Sequence, residues 1–248
     1  MDKLKMQAKR EEIKARLYRR RYLVPNAVTV ANMFCGFLAI IYASAGKFEM
    51  GAWAIFIAII LDGLDGRVAR KLNATSKFGV EYDSFSDLVS FGVAPAMLLY
   101  HWAFKPLADE IGVLVCFFYA VCAASRLARF NIMQENLKSF LGLPSPGAAG
   151  MAIAVIIFAP RVEQSIYVAF GAGALLILLG YLMVSRVEFL SIKTLKFSSM
   201  RMLSRAFLAL LLGLIWYKYQ VGLLVLAALY TLSGPYAALT KNSAKKGE

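Results

Sequence analysis

The sequence predicts an all-α fold: a polytopic membrane helical bundle of about eight transmembrane helices, preceded by a basic amphipathic helix. Three observations lead there. Of 248 residues, 60% are hydrophobic, well above the roughly 45–50% of soluble domains. The apolar residues gather in runs of about 18–24, the length a helix needs to cross about 30 Å of hydrocarbon. The net charge of +13 sits almost wholly in the links between those runs. Such a balance in a soluble chain would suggest nucleic acid. Here it is the basic excess of cytoplasmic loops, and no nucleic-acid partner is expected.

Residues 3–21 hold nine basic residues, with Met6, Ile13 and Leu17 at helical spacing. This stretch is expected to lie as an amphipathic helix on an anionic leaflet. The apolar run after Tyr22 is too long for the core of a cleaved leader. Spans are predicted at 23–45, 48–70, 80–104, 110–131, 146–160, 164–186, 203–219 and 221–240. The domain division is therefore 1–22 as a basic cytoplasmic segment, 23–240 as one transmembrane domain and 241–248 as a cytoplasmic tail. Alternating these spans from a cytoplasmic N-terminus puts 24 Lys and Arg on one side and 4 on the other (Lys47, Lys105, Arg161 and Lys218). That asymmetry makes both termini cytoplasmic. Cys35, Cys116 and Cys122 lie inside apolar runs with no disulfide or metal-ligand spacing, and the single His101 cannot anchor a zinc site.

The chemistry is concentrated in DGLDGRVARKLNATSKFGVEYDSFSD, residues 62–87. An aspartate within a membrane span is costly, so such residues face the bundle interior and mark function. Asp62, Asp65, Gly66, Ala69 and Arg70 share one helix face, and so do Gly79, Asp83 and Asp87. The short link between the two helices makes them antiparallel neighbours, so the four carboxylates converge at one depth. One aspartate at a helix end is usually a solvated surface residue. Four at these spacings, flanked by apolar spans, are not explained that way. Four carboxylates carry −4, which two divalent cations neutralise. An all-oxygen ligand set selects Mg²⁺ or Mn²⁺ over zinc. Paired metals of this kind suit phosphoryl displacement. Gly66 and Ala69 leave room for a ligand, and Arg70 can pair with a diphosphate.

The pattern D-x-x-D-G-x-x-A-R-x8-G-x3-D-x3-D is filled at every fixed position by Asp62, Asp65, Gly66, Ala69, Arg70, Gly79, Asp83 and Asp87. In this the sequence resembles the CDP-alcohol phosphotransferases. The resemblance implies that Asp62 and Asp83 bridge two metal ions, that Asp65 binds one, and that Asp87 binds the other and acts as general base. It implies CDP-lipid contacts from Gly66, Arg70, Ser76 and Gly79, with Asn26 and Thr29 of the PNAVT segment adding nucleotide-side contacts. Pro, Asn and Thr at a helix start are also ordinary capping residues. DLVSFGVAPA (87–96), SRLARFN (125–131) and FLGLPSPGAAG (140–150) are similar to the phosphatidylserine synthase branch. That branch implies CDP-diacylglycerol and L-serine as substrates, a multi-pass protein of a prokaryotic cell membrane with its active site on the cytoplasmic side, and a homodimer among membrane lipids. Archaeal enzymes acting on a different CDP-lipid share these marks.

A serine acceptor needs a cation for its carboxylate. Arg126 and Arg129, one helical turn apart at the end of the fourth span, can supply it; both are equally suited to anchoring that end of the helix. Two alternatives stay open: the same chemistry with glycerol phosphate, inositol or choline, and a cation transporter. A transporter should place its carboxylates at broken helices near the midplane, whereas these lie at helix ends on one side.

Overall fold

The computed structural model describes residues 26–71, 76–104, 110–133, 142–187, 189 and 218–245. Every regular element among them is helical. Among the described residues there are seven helices: α1 (Asn26–Ser44), α2 (Phe48–Lys71), α3 (77–104), α4 (Glu110–Met133), α5 (Ser145–Phe158), α6 (Ile166–Val184) and α7 (Tyr219–Lys245). Four of them, α1, α4, α6 and α7, contain stretches long and apolar enough to cross a membrane. The predicted spans coincide with these helices to within a few residues, except for 203–219. That span and the basic segment 3–21 lie outside the described residues.

The helix ends follow from local chemistry. α1 stops where Gly46 takes φ +70, and its last carbonyls are satisfied by Gly46 N to Ala43 O (3.1 Å) and Lys47 N to Tyr42 O (2.8 Å). This pairing is a Schellman turn, which needs a left-handed residue and so selects glycine. Ser76 caps α3 by accepting from Gly79 N at 3.0 Å. Ser165 caps α6 in the same way through Val168 N at 3.4 Å.

α3 is continuous but not uniform. Its α-helical opening (Lys77–Asp87) widens into a π segment at Leu88–Val93, returns to α geometry at Ala94–Leu99 and widens again at Tyr100–Phe104. Pro95 lies in the second α stretch. It has no N–H to give to the carbonyl four residues earlier, that of Phe91. The buried Tyr119 hydroxyl donates to the Phe91 carbonyl at 3.0 Å. This contact ties α4 to the π segment of α3 within the apolar interior.

The short α5 is the central post. It packs on α2, α7, α6 and α3, and Ala148, Ala149, Ala152, Ile153, Ile156 and Ile157 are buried. Its small residues let neighbouring backbones approach closely, as membrane helix packing requires. The segment leading into it is fastened to the end of α6. Gly142 N donates to Val187 O (2.8 Å), Leu143 N to Leu182 O (3.0 Å), and Arg129 Nη1 to Val184 O (2.9 Å). Gly142 has φ +82, and a Cβ there would run into the Met183 carbonyl.

Candidate active site

The site forms at one end of the bundle, where the end of α2 meets the starts of α1 and α3. Asp62, Asp83 and Asp87 each present a carboxylate oxygen, and these three atoms lie within 4.8 Å of one another. Asp65 is buried beside them. It accepts from Thr29 Oγ1 at 3.4 Å, and its carboxyl group lies within hydrogen-bonding reach of Asp83. The four predicted carboxylates are thus brought together as a cluster of three with Asp65 adjoining it. Among the described residues, one buried carboxylate oxygen of Asp83 has no hydrogen-bond partner. Such an oxygen is costly unless a cation or proton meets it.

The donor set fits hard divalent cations. The clustered ligands are all carboxylate oxygens, and oxygen-only sets of this kind are characteristic of Mg²⁺ and Mn²⁺.

α1 holds the cluster from behind. Besides the Thr29 contact, Asn32 Nδ2 donates to Asp87 Oδ1 at 3.3 Å. The two helices are pinned by Ser86 Oγ to Thr29 O and Ser90 Oγ to Asn32 O, both 3.0 Å. A Cβ on Gly36 would lie 2.7 Å from the Ser90 Cα, so α1 and α3 touch backbone to backbone here. Sequence reasoning picked out Asn26 and Thr29 but missed Asn32. The available signal was its place: a second amide within an otherwise apolar run, one turn beyond Thr29.

The expected nucleotide-side residues are partly assembled. A Cβ on Gly79 would lie 3.1 Å from Ser76 Oγ and 3.8 Å from Asn26 Oδ1. These three therefore share one corner, at the joint opening of α1 and α3. Gly66 is half-buried on α2. The Arg70 side chain lies outside the described residues.

The two arginines of α4 have different surroundings. Arg126 interacts electrostatically with Asp62 and Asp87, and its Nη1 donates to Ser145 Oγ at 2.9 Å. Its Nε is buried with no partner among the described residues. Arg129 instead donates to the Val184 carbonyl at the end of α6. At the same end of the bundle, Asn131 joins α4 to α3 by donating to Ser84 Oγ (3.0 Å) and Glu81 Oε2 (3.3 Å).

The fold and this site define a class: an all-helical membrane protein with a carboxylate cluster at one end of the bundle, backed by an amide and flanked by a half-buried arginine. The family model for CDP-alcohol phosphatidyltransferase matches residues 22–184. The chain belongs to that family. It is 38% identical over 185 residues to the CDP-diacylglycerol–serine O-phosphatidyltransferase of Helicobacter pylori (strain ATCC 700392 / 26695), covering 71% of this chain and 76% of that protein. It is 42% identical over 166 residues to the protein of the same name from Bacillus subtilis (strain 168), covering 67% of this chain and 89% of the other. The similarly named protein of Methanocaldococcus jannaschii is 40% identical over 166 residues, covering 67% of this chain and 73% of its own length.

Proposed function

We propose that this chain transfers the phosphatidyl group of CDP-diacylglycerol to L-serine, giving phosphatidylserine and CMP. The carrying observation is the convergence of Asp62, Asp83 and Asp87 from two helices in a chain whose relatives bear that activity in their names.

In this reading Asp62, Asp65, Asp83 and Asp87 would together hold two divalent ions, Mg²⁺ or Mn²⁺. When bound, such ions supply Lewis-acid polarisation of the phosphate and charge stabilisation of the departing nucleotide. The chain's own residues do the rest. Asn26, Thr29, Gly66, Arg70, Ser76 and Gly79 bind the CDP-lipid with the nucleotide at the bundle end and the acyl chains in the bilayer. Arg126 pairs with the serine carboxylate. Asp87, its carboxylate fixed by Asn32, accepts the serine hydroxyl proton. The serine oxygen forms a bond to the phosphorus that carries diacylglycerol. The bond from that phosphorus to CMP breaks, and CMP leaves with the electron pair.

The reading extends to the whole protein. Residues 23–240 form one transmembrane domain, preceded by the basic segment 1–22 and followed by the tail 241–248. Both termini and the site face the cytoplasm of a prokaryotic cell, and two copies associate as a homodimer.

Release of CMP from CDP-diacylglycerol, compared across serine, glycerol phosphate and inositol, tests the reading. Serine should support release well above the other two. Release with glycerol phosphate and none with serine would refute the acceptor assignment.

A further inference from the structure

The family match ends at residue 184, yet α7 reaches the site. Tyr230 of α7 lies within electrostatic reach of the Arg126 guanidinium. Two contacts fix its ring. A Cβ on Gly147 would lie 2.6 Å from Tyr230 Cε1, so the ring lies directly against the α5 backbone at this glycine. On another side the ring of Phe189 stands 6.4 Å away, inclined by 46°. Gly147 is two residues beyond Ser145, whose hydroxyl accepts from Arg126 Nη1 at 2.9 Å. Ser145, Gly147 and Tyr230 therefore form one surface beside Arg126. The carboxylates Asp62 and Asp87 also interact with the same guanidinium.

This arrangement has a chemical consequence. Ser145 occupies one arm of the Arg126 fork, and Nε is buried with no partner among the described residues. An arginine held this way, against carboxylates that attract it, is pre-organised for a planar anion. A phenol beside it adds a donor that a carboxylate can use and an amine-only alcohol cannot. Sites that supply a hydrogen bond to a substrate group discriminate strongly against analogues lacking that group.

We propose that Tyr230 is a specificity-determining residue for the acceptor. Together with Arg126 and Ser145 it forms a pocket that selects a small alcohol bearing a carboxylate. This rests on the reading of serine as acceptor, and it adds a residue from outside the matched region.

The test is Tyr230→Phe in the full-length enzyme, which keeps the ring against Gly147 and Phe189. Serine and ethanolamine, which lacks the carboxylate, are compared as acceptors. We expect the serine KM to rise about tenfold or more, as for a lost hydrogen bond to a charged group. The preference for serine over ethanolamine should fall by a similar factor, and the KM for CDP-diacylglycerol should change by less than about twofold. Unchanged serine KM and unchanged preference would overturn the proposal and leave Tyr230 as packing alone. A rise in both KM values together would also overturn it, because a packing defect moves both. A wild-type enzyme that uses glycerol phosphate but not serine would remove the serine reading and this proposal with it. The first two outcomes leave the serine reading intact.

Discussion

At the scale of single residues, the site is a set of like charges held together by their neighbours. Asp62, Asp83 and Asp87 repel one another unless cations intervene, and Asp83 has a buried oxygen with no hydrogen-bond partner among the described residues. Asp62→Asn and Asp83→Asn should therefore be the most damaging substitutions. Each should lower kcat/KM more than Asp65→Asn, when the variants are assayed at equal expression. Asp87→Asn should separate catalysis from binding. Loss of a general base costs roughly 10²–10⁴-fold in rate, while the KM for CDP-diacylglycerol should move little; poor binding with normal turnover would contradict the role. The arginines should also part company. Arg126→Lys should raise the serine KM, since a point charge does not reproduce a bidentate fork. Arg129 is committed to the Val184 carbonyl, so Arg129→Lys should lower thermal stability and leave the serine KM unchanged. The aspartates and Arg126 were legible because ionisable residues beside apolar runs are rare. Arg129 was not distinguishable from Arg126, because i, i+3 spacing shows that two side chains share a face but not which group each one meets.

At the scale of elements, hydropathy made the spans readable: each predicted run that falls within the described residues is a helix with nearly the same limits. What lies within α3 was not readable. A π segment leaves the apolar composition unchanged and shifts only the register of carbonyls and amides, so nothing in the residue pattern of LVSFGV announces it. The role of Tyr119 was hidden for the same reason, because its partner is a backbone carbonyl on another helix. Tyr119→Phe should remove a buried hydrogen bond that ties α4 to α3. We expect a loss of about 1–2 kcal/mol, read as a lower unfolding temperature in detergent. The contact of α1 with α3 carries a second expectation. In Gly36→Ala the new methyl would meet the Ser90 backbone and push α1 outward, taking Asn32 from Asp87 and Thr29 from Asp65. That variant should lose activity through the cluster while the fold persists, and circular dichroism with a CMP-release assay would show the two apart.

At the scale of the whole molecule, the proposed orientation can be tested directly. If the 24 basic residues face the cytoplasm and the other 4 face outward, Lys47 lies outside and the carboxylates lie inside. In a cysteine-free background, Lys47→Cys should react with an impermeant thiol reagent added to intact cells, and Lys71→Cys should react only after lysis. Reaction of Lys71→Cys in intact cells would reverse the orientation. The central claim is that the carboxylates at the ends of α2 and α3 act as a divalent-metal site for phosphatidyl transfer. The most direct measurement is serine-dependent CMP release from CDP-diacylglycerol by purified enzyme stripped with EDTA, before and after metal is restored. The account predicts no activity in the stripped enzyme and full recovery with Mg²⁺ or Mn²⁺. Undiminished turnover in a verified metal-free preparation would contradict it.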